Sequence, residues 1–172
     1  MSDIKFSRVW SMPNKNTFEI KPIKELLERY ITPFDEVIDP FANKNKWGSI
    51  TNDLDPQYDT DYHMEATDFL KMLGDNIADV ILYDPVYSVR QLSECYKKFG
   101  LSVTNETTRS DYWTKQKKEI ARIIKPDGIV ISFGWNSGGI GKTLGFQIEE
   151  ILLVPHGGMH NDTIVTVERK IK

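Results

Sequence analysis

Apolar residues recur along the chain in two rhythms. Between Phe18 and Ile31, residues Ile20, Ile23, Leu26, Leu27, Tyr30 and Ile31 fall at helical spacing. Pro22 suits a first turn and Pro33 a stop, so the pattern predicts one amphipathic helix. Short apolar runs follow. Glu36-Val37-Ile38-Asp39-Pro40 reads as a buried strand ended by proline, Ser49 to Asp53 as a second, and Tyr62 to Glu65 as a weaker third. A short helix is expected from Thr67 to Leu73. Asp79-Val80-Ile81-Leu82-Tyr83 is the continuous apolar run typical of a strand inside a parallel sheet. Val89 to Phe99 and Ser110 to Ile124 read as helices, Lys125 to Gly128 as a turn, and Ile129 to Phe133 as another buried strand. Phe146 to Val154 and Thr163 to Lys170 are β-rich runs whose connection is too long for a tight hairpin loop but suits an antiparallel pair. The fold class implied is α/β: a mixed, doubly wound sheet with antiparallel C-terminal strands, in one domain over residues 1–172.

The spacing of the first strands changes that picture. Only Pro40 to Gly48 separates the first two, whereas a parallel crossover with its helix needs about 10–12 residues. Leu54 to Asp61 is similarly short. The first crossover helices are therefore expected to be shortened or missing, and a thinly covered sheet face predicts self-association or a partner.

Composition excludes several classes. A hydrophobic fraction of 40% and a charged fraction of 27% over 172 residues describe one ordinary globular core. No apolar run approaches the ~18 residues of a membrane span. The first residues lack a secretory signal, so a cytoplasmic location is expected. Cys95 alone allows neither an internal disulfide nor a cysteine zinc site. A net charge of −3 argues against non-specific coating of nucleic acid, though less against contact through one local basic face.

Asp84-Pro85-Val86-Tyr87 follows the best strand, at the end of a parallel strand where open α/β sheets bind ligands. Asp and Pro are also common in plain turns. The functional reading has a mechanism: a carboxylate and the next carbonyl accept both hydrogens of an exocyclic amine, while Tyr87 stacks on its ring. The tetrapeptide resembles the Asp-Pro-Pro-Tyr motif of amino-group DNA methyltransferases, especially compact adenine-type enzymes of phages and mobile elements. Upstream, Phe18 to Leu27 and then Val37-Ile38-Asp39-Pro40-Phe41-Ala42 are similar to the family's cofactor stretch, a Lys-Pro helix start before an Asp-Pro-Phe-Ala-Gly-x-Gly loop. The resemblance implies a Rossmann-like methyltransferase fold and S-adenosylmethionine as cofactor. It implies cofactor contacts from Lys21, Asp39, Phe41 and Ala42, with Asp53 on the ribose and Asp68 and Phe69 beside the adenine. Asp84, Pro85 and Tyr87 become the catalytic set; Tyr87, Trp135 and Lys142 are the candidate substrate contacts. Ile123 to Ile131 looks like the leader into the fifth strand of many methyltransferases.

Two departures stand out. Val86 replaces a proline, sparing both amine acceptors, and Asn43-Lys44-Asn45-Lys46-Trp47-Gly48 stands where the family has Gly-x-Gly. The expectation is weak binding of S-adenosylmethionine, or binding by a modified loop using Asn43, Asn45 and Trp47. Gly138 to Thr143 mimics a phosphate loop but lacks its first glycine, position 136 being Asn. His156 and His160 flank two glycines and have no third ligand at a familiar spacing, so no metal is expected. Lys115, Lys117 and Lys118 read as a solvated helix face; Lys44 and Lys46 are the better candidates for phosphate. The leading expectation is methyl transfer to a nucleobase amine, adenine in transiently bound DNA first. RNA, a protein glutamine or a small molecule are variants within that class. The competing expectation is a methyltransferase-derived binding protein without turnover.

Overall fold

The computed structural model describes residues 3–86, 88–102 and 111–172. Its elements are β1 (Lys5–Arg8), α1 (Lys21–Tyr30), β2 (Val37–Asp39), β3 (Ile50–Thr51), α2 (Ala66–Met72), β4 (Ala78–Tyr83), α3 (Val89–Lys98), α4 (Asp111–Ile123), β5 (Ile124–Gly134), β6 (Phe146–Val154) and β7 (Thr163–Lys170). The seven strands lie in the order β1-β6-β7-β5-β4-β2-β3. β3, β2, β4 and β5 are mutually parallel, β7 runs antiparallel between β5 and β6, and β1 pairs parallel with β6. The mixed sheet expected from the sequence is thus present, with β1 added at one edge.

Period-two alternation sends the strand side chains to two layers. On one face Val37, Val80, Leu82, Ile131, Val165 and Val167 pack under α1, whose Ile23, Leu26 and Leu27 join them with Phe18 and Ile20. On the other, Ile38, Ile81, Tyr83 and Val130 meet Phe69 and Leu70 of α2 and Ile120 and Ile123 of α4. A third cluster of Leu92, Tyr96 and Tyr112, with Leu54, Val86 and Trp113 against it, joins α3 to the start of α4. Among the described residues no helix is long and apolar enough to cross a membrane.

Three local outcomes refine the sequence expectations. The long helix divides into a 3₁₀ turn at Thr17–Glu19 and α1 proper. β5 already pairs at Ile124 with Ala78, then Lys125–Gly128 bulges out before Ile129 rejoins Val80, with Asp127 at φ 62°. A Cβ on Gly128 would stand 2.7 Å from Ile124 Cγ1, so only glycine fits that bulge. The weak third strand shrinks to one bridge, Asn52 to Tyr62.

The crossover from β2 to β3 contains no helix, as its length requires. Yet the face it serves is closed by α1, the 3₁₀ turn and Trp47, which packs on that core. The thinner cover lies elsewhere, over β1, β6 and β7 on the opposite face. There Phe6 is 64% exposed, and Ile151, Leu153 and Ile164 are half-buried. Only a 3₁₀ turn at Lys142–Leu144 stands between β5 and β6 on this route.

Candidate functional site

The carboxyl ends of β2, β3 and β4 converge on a cavity of about 610 Å³. It is roofed by α3 through Leu92, Cys95 and Tyr96, with Tyr112 from α4. Its floor and rim carry Phe41, Asn43, Asn45, Asp53, Leu54, Glu65, Asp84 and Pro85. A second cavity, about 210 Å³, lies on the other side of Pro85 and Val86. Tyr83, Trp113, Lys117, Ser132, Trp135, Asn136 and Gly139 also line it. The Asp84-Pro85-Val86 segment is therefore the wall between two cavities, with the Asp84 side chain on the larger one.

The loop after β2 is built without Gly-x-Gly. Asn43 takes the left-handed conformation at φ 53°, which asparagine tolerates better than most residues. Its N–H donates to Asp53 Oδ2 at 2.8 Å, and the Asp55 N–H donates to Asp53 Oδ1 at 2.9 Å. Asn45 accepts from Asn16 Nδ2 at 2.8 Å, tying the loop to the 3₁₀ turn. Ala42 is fully buried, and its N–H donates to the Asn52 carbonyl. Trp47 is drawn into the core and does not line the cavity.

Charge sets the character of the larger cavity. Among the described residues of its lining, Asp53, Asp55, Glu65, Asp84 and Glu94 oppose only Lys15 and Lys98. Lys98 stands 3.6 Å from Asp55. Asp39 lies beneath, fully buried, accepting the Phe41 N–H at 3.2 Å. Burial holds its carboxyl well above the usual range; the Phe41 N–H pulls it down, and the charges of Asp84 and Asp53 push it further up. Among the described residues its Oδ2 has no partner. Asp53 is likewise raised by burial, against the pull of its two N–H donors.

The structure sorts the sequence candidates into three groups. Phe41, Asp53, Asp84 and Pro85 meet at the larger cavity, and Trp135 stands in the smaller one. Lys21 is exposed at the start of α1, and Lys142 is exposed in the 3₁₀ turn; neither lines a cavity. Asp68 is also exposed, and Phe69 is buried in the core beside Tyr62, ring centroids 5.6 Å apart. The carboxylate that reaches the cavity from this region is Glu65, three residues earlier. It caps α2 through the Thr67 and Asp68 N–H groups and accepts the Tyr112 hydroxyl at 2.8 Å. An acidic residue just before a helix start was the available signal. Tyr87 lies outside the described residues. Lys44 and Lys46 are engaged elsewhere, with Glu19 at 3.4 Å and Asp59 at 3.0 Å.

The loop of the smaller cavity is held from below. Glu168 on β7, 1% exposed, accepts the Ile140 and Gly141 N–H groups at 2.6 and 3.0 Å. A Cβ on Gly139 would lie 2.2 Å from that carboxylate, so glycine is required there. This stretch therefore presents a carboxylate nest rather than a phosphate loop. His156 bridges the Ser11 carbonyl and the Thr163 hydroxyl, which makes it a fastener at the sheet edge.

With this geometry in hand, comparison with solved structures places the fold. The chain superposes on the 1,6-didemethyltoxoflavin-N1-methyltransferase of Burkholderia thailandensis, solved with 1,6-didemethyltoxoflavin and S-adenosylhomocysteine. The TM-score is 0.60 at 13% identity, over 88% of this chain and 78% of that one. A SAM-dependent methyltransferase from Archaeoglobus fulgidus matches at TM-score 0.60 and 10% identity, over 87% and 94% of the two chains. TrmN from Thermus thermophilus matches at TM-score 0.58 and 17% identity; 88% of this chain covers 49% of that one, about half its length. No protein-family model matches the chain, and no curated protein matches it in sequence. The fold is the class I methyltransferase fold, with its seven-stranded sheet and antiparallel C-terminal pair.

Proposed function

We propose that this chain is an S-adenosylmethionine-dependent methyltransferase acting on an amino group, with adenine in DNA as the first acceptor to test. The observation that carries the proposal is the position of Asp84-Pro85 at the end of β4, as the wall between two cavities of unequal size. The larger falls within the ~300–1,000 Å³ usual for cofactor sites. Its excess of carboxylates suits a cationic sulfonium. Asp53 and Glu65 would meet the hydroxyls and the adenine amine, Phe41 the ring, and the Asn43 to Asn45 turn the amino-acid end. The buried Asp39, one of whose oxygens has no partner among the described residues, lies beneath that turn.

When bound, the cofactor supplies a methyl group whose bond to sulfur breaks with both electrons left on sulfur as the acceptor nitrogen forms its bond to carbon. The residues of the chain do the positioning. The Asp84 carboxylate and the Pro85 carbonyl accept the two amine hydrogens, which turns the nitrogen lone pair toward the larger cavity. The extra proton on nitrogen leaves to water after transfer. A base in a duplex has to be flipped out to reach this wall. Transient DNA contact through a local face is compatible with the net charge of −3.

Calorimetry with S-adenosylmethionine and S-adenosylhomocysteine tests the first half; no heat at millimolar cofactor overturns the proposal. Labelled cofactor with unmodified DNA, RNA and small heteroaromatic amines tests the second. Asp84→Ala is expected to weaken cofactor binding only modestly and to lose about 10²–10³-fold in transfer, the scale set by removing one oriented polar partner. A binding protein without turnover is the second reading. It is favoured by Asp53, whose two oxygens are both already engaged by backbone N–H groups. Cofactor heat with equal background label in wild type and Asp84→Ala would select it.

A further inference from the structure

Among the described residues, the smaller cavity has one positive charge in its lining, at Lys117. Lys117 follows Trp113 by one turn of α4, so the two side chains share a strip of helix surface and line the cavity together. Trp113 is fixed in place. Its indole N–H donates to the Val86 carbonyl at 3.0 Å, and its ring meets Tyr112 edge-on at 5.3 Å. Trp135 lines the same space from the loop that Glu168 holds. That carboxylate feels the charge of Lys117 but is committed to two backbone N–H groups. Ser132 contributes a buried hydroxyl which, among the described residues, has no partner. Buried polar atoms are nearly always satisfied, so an unpaired one beside a cavity points to a ligand atom or water.

Resting on the function proposed above, we infer that this cavity takes its acceptor as a nucleotide, with Lys117 reading the phosphate. The ring lies against Trp113 and Trp135, its polar edge reaches Ser132, and the phosphate stays at the mouth beside Lys117. Size supports that division. At about 210 Å³ the cavity is below the ~300 Å³ at which drug-sized ligands are usually enclosed, so it admits a ring and leaves the anion outside. An ammonium facing a phosphate is a charge-assisted contact, stronger than a neutral one.

The test measures calorimetric affinity for adenosine, adenosine 5′-monophosphate and a short single-stranded oligodeoxyadenylate on the full chain. The protein is compared with Lys117→Gln and, as a control for general charge, Lys118→Gln on the exposed side of α4. The monophosphate is expected to bind about tenfold more tightly than adenosine, which is about 1.4 kcal/mol. Lys117→Gln should abolish that difference and Lys118→Gln should preserve it. Tighter binding of the oligomer than of the monophosphate, also lost in Lys117→Gln, identifies a strand as the source; monophosphate preference alone identifies a free nucleotide. Equal affinity for adenosine and its monophosphate, an unchanged ratio in Lys117→Gln, or no binding of any probe overturns the inference. Cofactor heat measured in the same samples separates that outcome from failure of the methyltransferase proposal. Superimposable thermal melts confirm that Lys117→Gln folds.

Discussion

β4, β5, β6 and β7 run for 6, 11, 9 and 8 residues, whereas β2 and β3 manage only 3 and 2. The long strands are held by extended ladders, each of β4–β5 and β6–β7 with one shift of register, and by apolar layers on both faces of β4 and β5. The short ones are held by side chains standing in for ladder partners. The Asp61 carboxylate takes both the N–H and the hydroxyl of Thr51, at 2.8 and 2.9 Å. Asn52, 1% exposed, spends its amide on the Pro40 and Met64 carbonyls and accepts the Met64 N–H, at 3.2, 3.0 and 2.9 Å. Ser49 bridges Glu36 and Val37. The larger cavity opens on this second half. A loop fixed by polar side chains leaves backbone and carboxylates facing the cavity, where a crossover helix would have covered them.

That contrast can be broken from either side. Ile131→Ala, in the fully buried layer of β5, should cost about 2–5 kcal/mol and lower protection from hydrogen exchange throughout the chain. Asn52→Ala removes three buried hydrogen bonds, and at roughly 1 kcal/mol each should cost about 3 kcal/mol. Its exchange signature should be local, with residues 40–64 losing protection before β5 and β7. Uniform loss in both variants would mean that the two halves open as one. Smaller and opposite in sign is Asp39→Asn. The raised carboxyl of Asp39 prefers its proton in the folded chain, so ionisation disfavours folding once the pH exceeds the ordinary carboxylate value of about 4. Asp39→Asn should therefore raise the melting temperature at pH 7.5 by a few degrees, at ~2–4 °C per kcal/mol. The gain should shrink as the pH falls and vanish below about 4, where wild-type Asp39 is protonated in both states.

The same contrast decides what was legible in the sequence. β4, β5, β6 and β7 announce themselves because burial on one or both faces demands unbroken or alternating apolar runs. β1, Lys5-Phe6-Ser7-Arg8, carries no such run because it is an edge strand whose residues stay largely exposed, and its partner lies at residues 150–153. Tyr62 to Glu65 looks strand-like, but the Asp61 side chain occupies the Thr51 N–H and leaves room for a single bridge. Asp84 and Asp53 reach the larger cavity because each follows the carboxyl end of a strand, a place that a sequence makes legible. Glu65 and Asp68 lie near one helix start, and the direction of the helix decides that Glu65 is the one lining the cavity. Lys117 looked like solvated charge among three lysines. Its difference from Lys115 and Lys118 is a matter of helix phase, visible once Tyr112, Gln116 and Ile120 are known to be the buried stripe.

The pairing of β1 with β6 also has a cost in time. Lys5 lies opposite Glu150, and that buried carboxylate is where Lys5, Arg29 and Tyr30 converge. Burial alone would raise the Glu150 carboxyl, yet its partners on the N-terminal segment hold it below the ordinary value. On a translating ribosome, at about 5–20 residues per second, β1 waits roughly 10–30 s for β6, the strand it docks against. β1 is thus secured long after it is made, and during that interval Phe6, Trp10 and the apolar stripe of α1 are open to whatever the nascent chain meets.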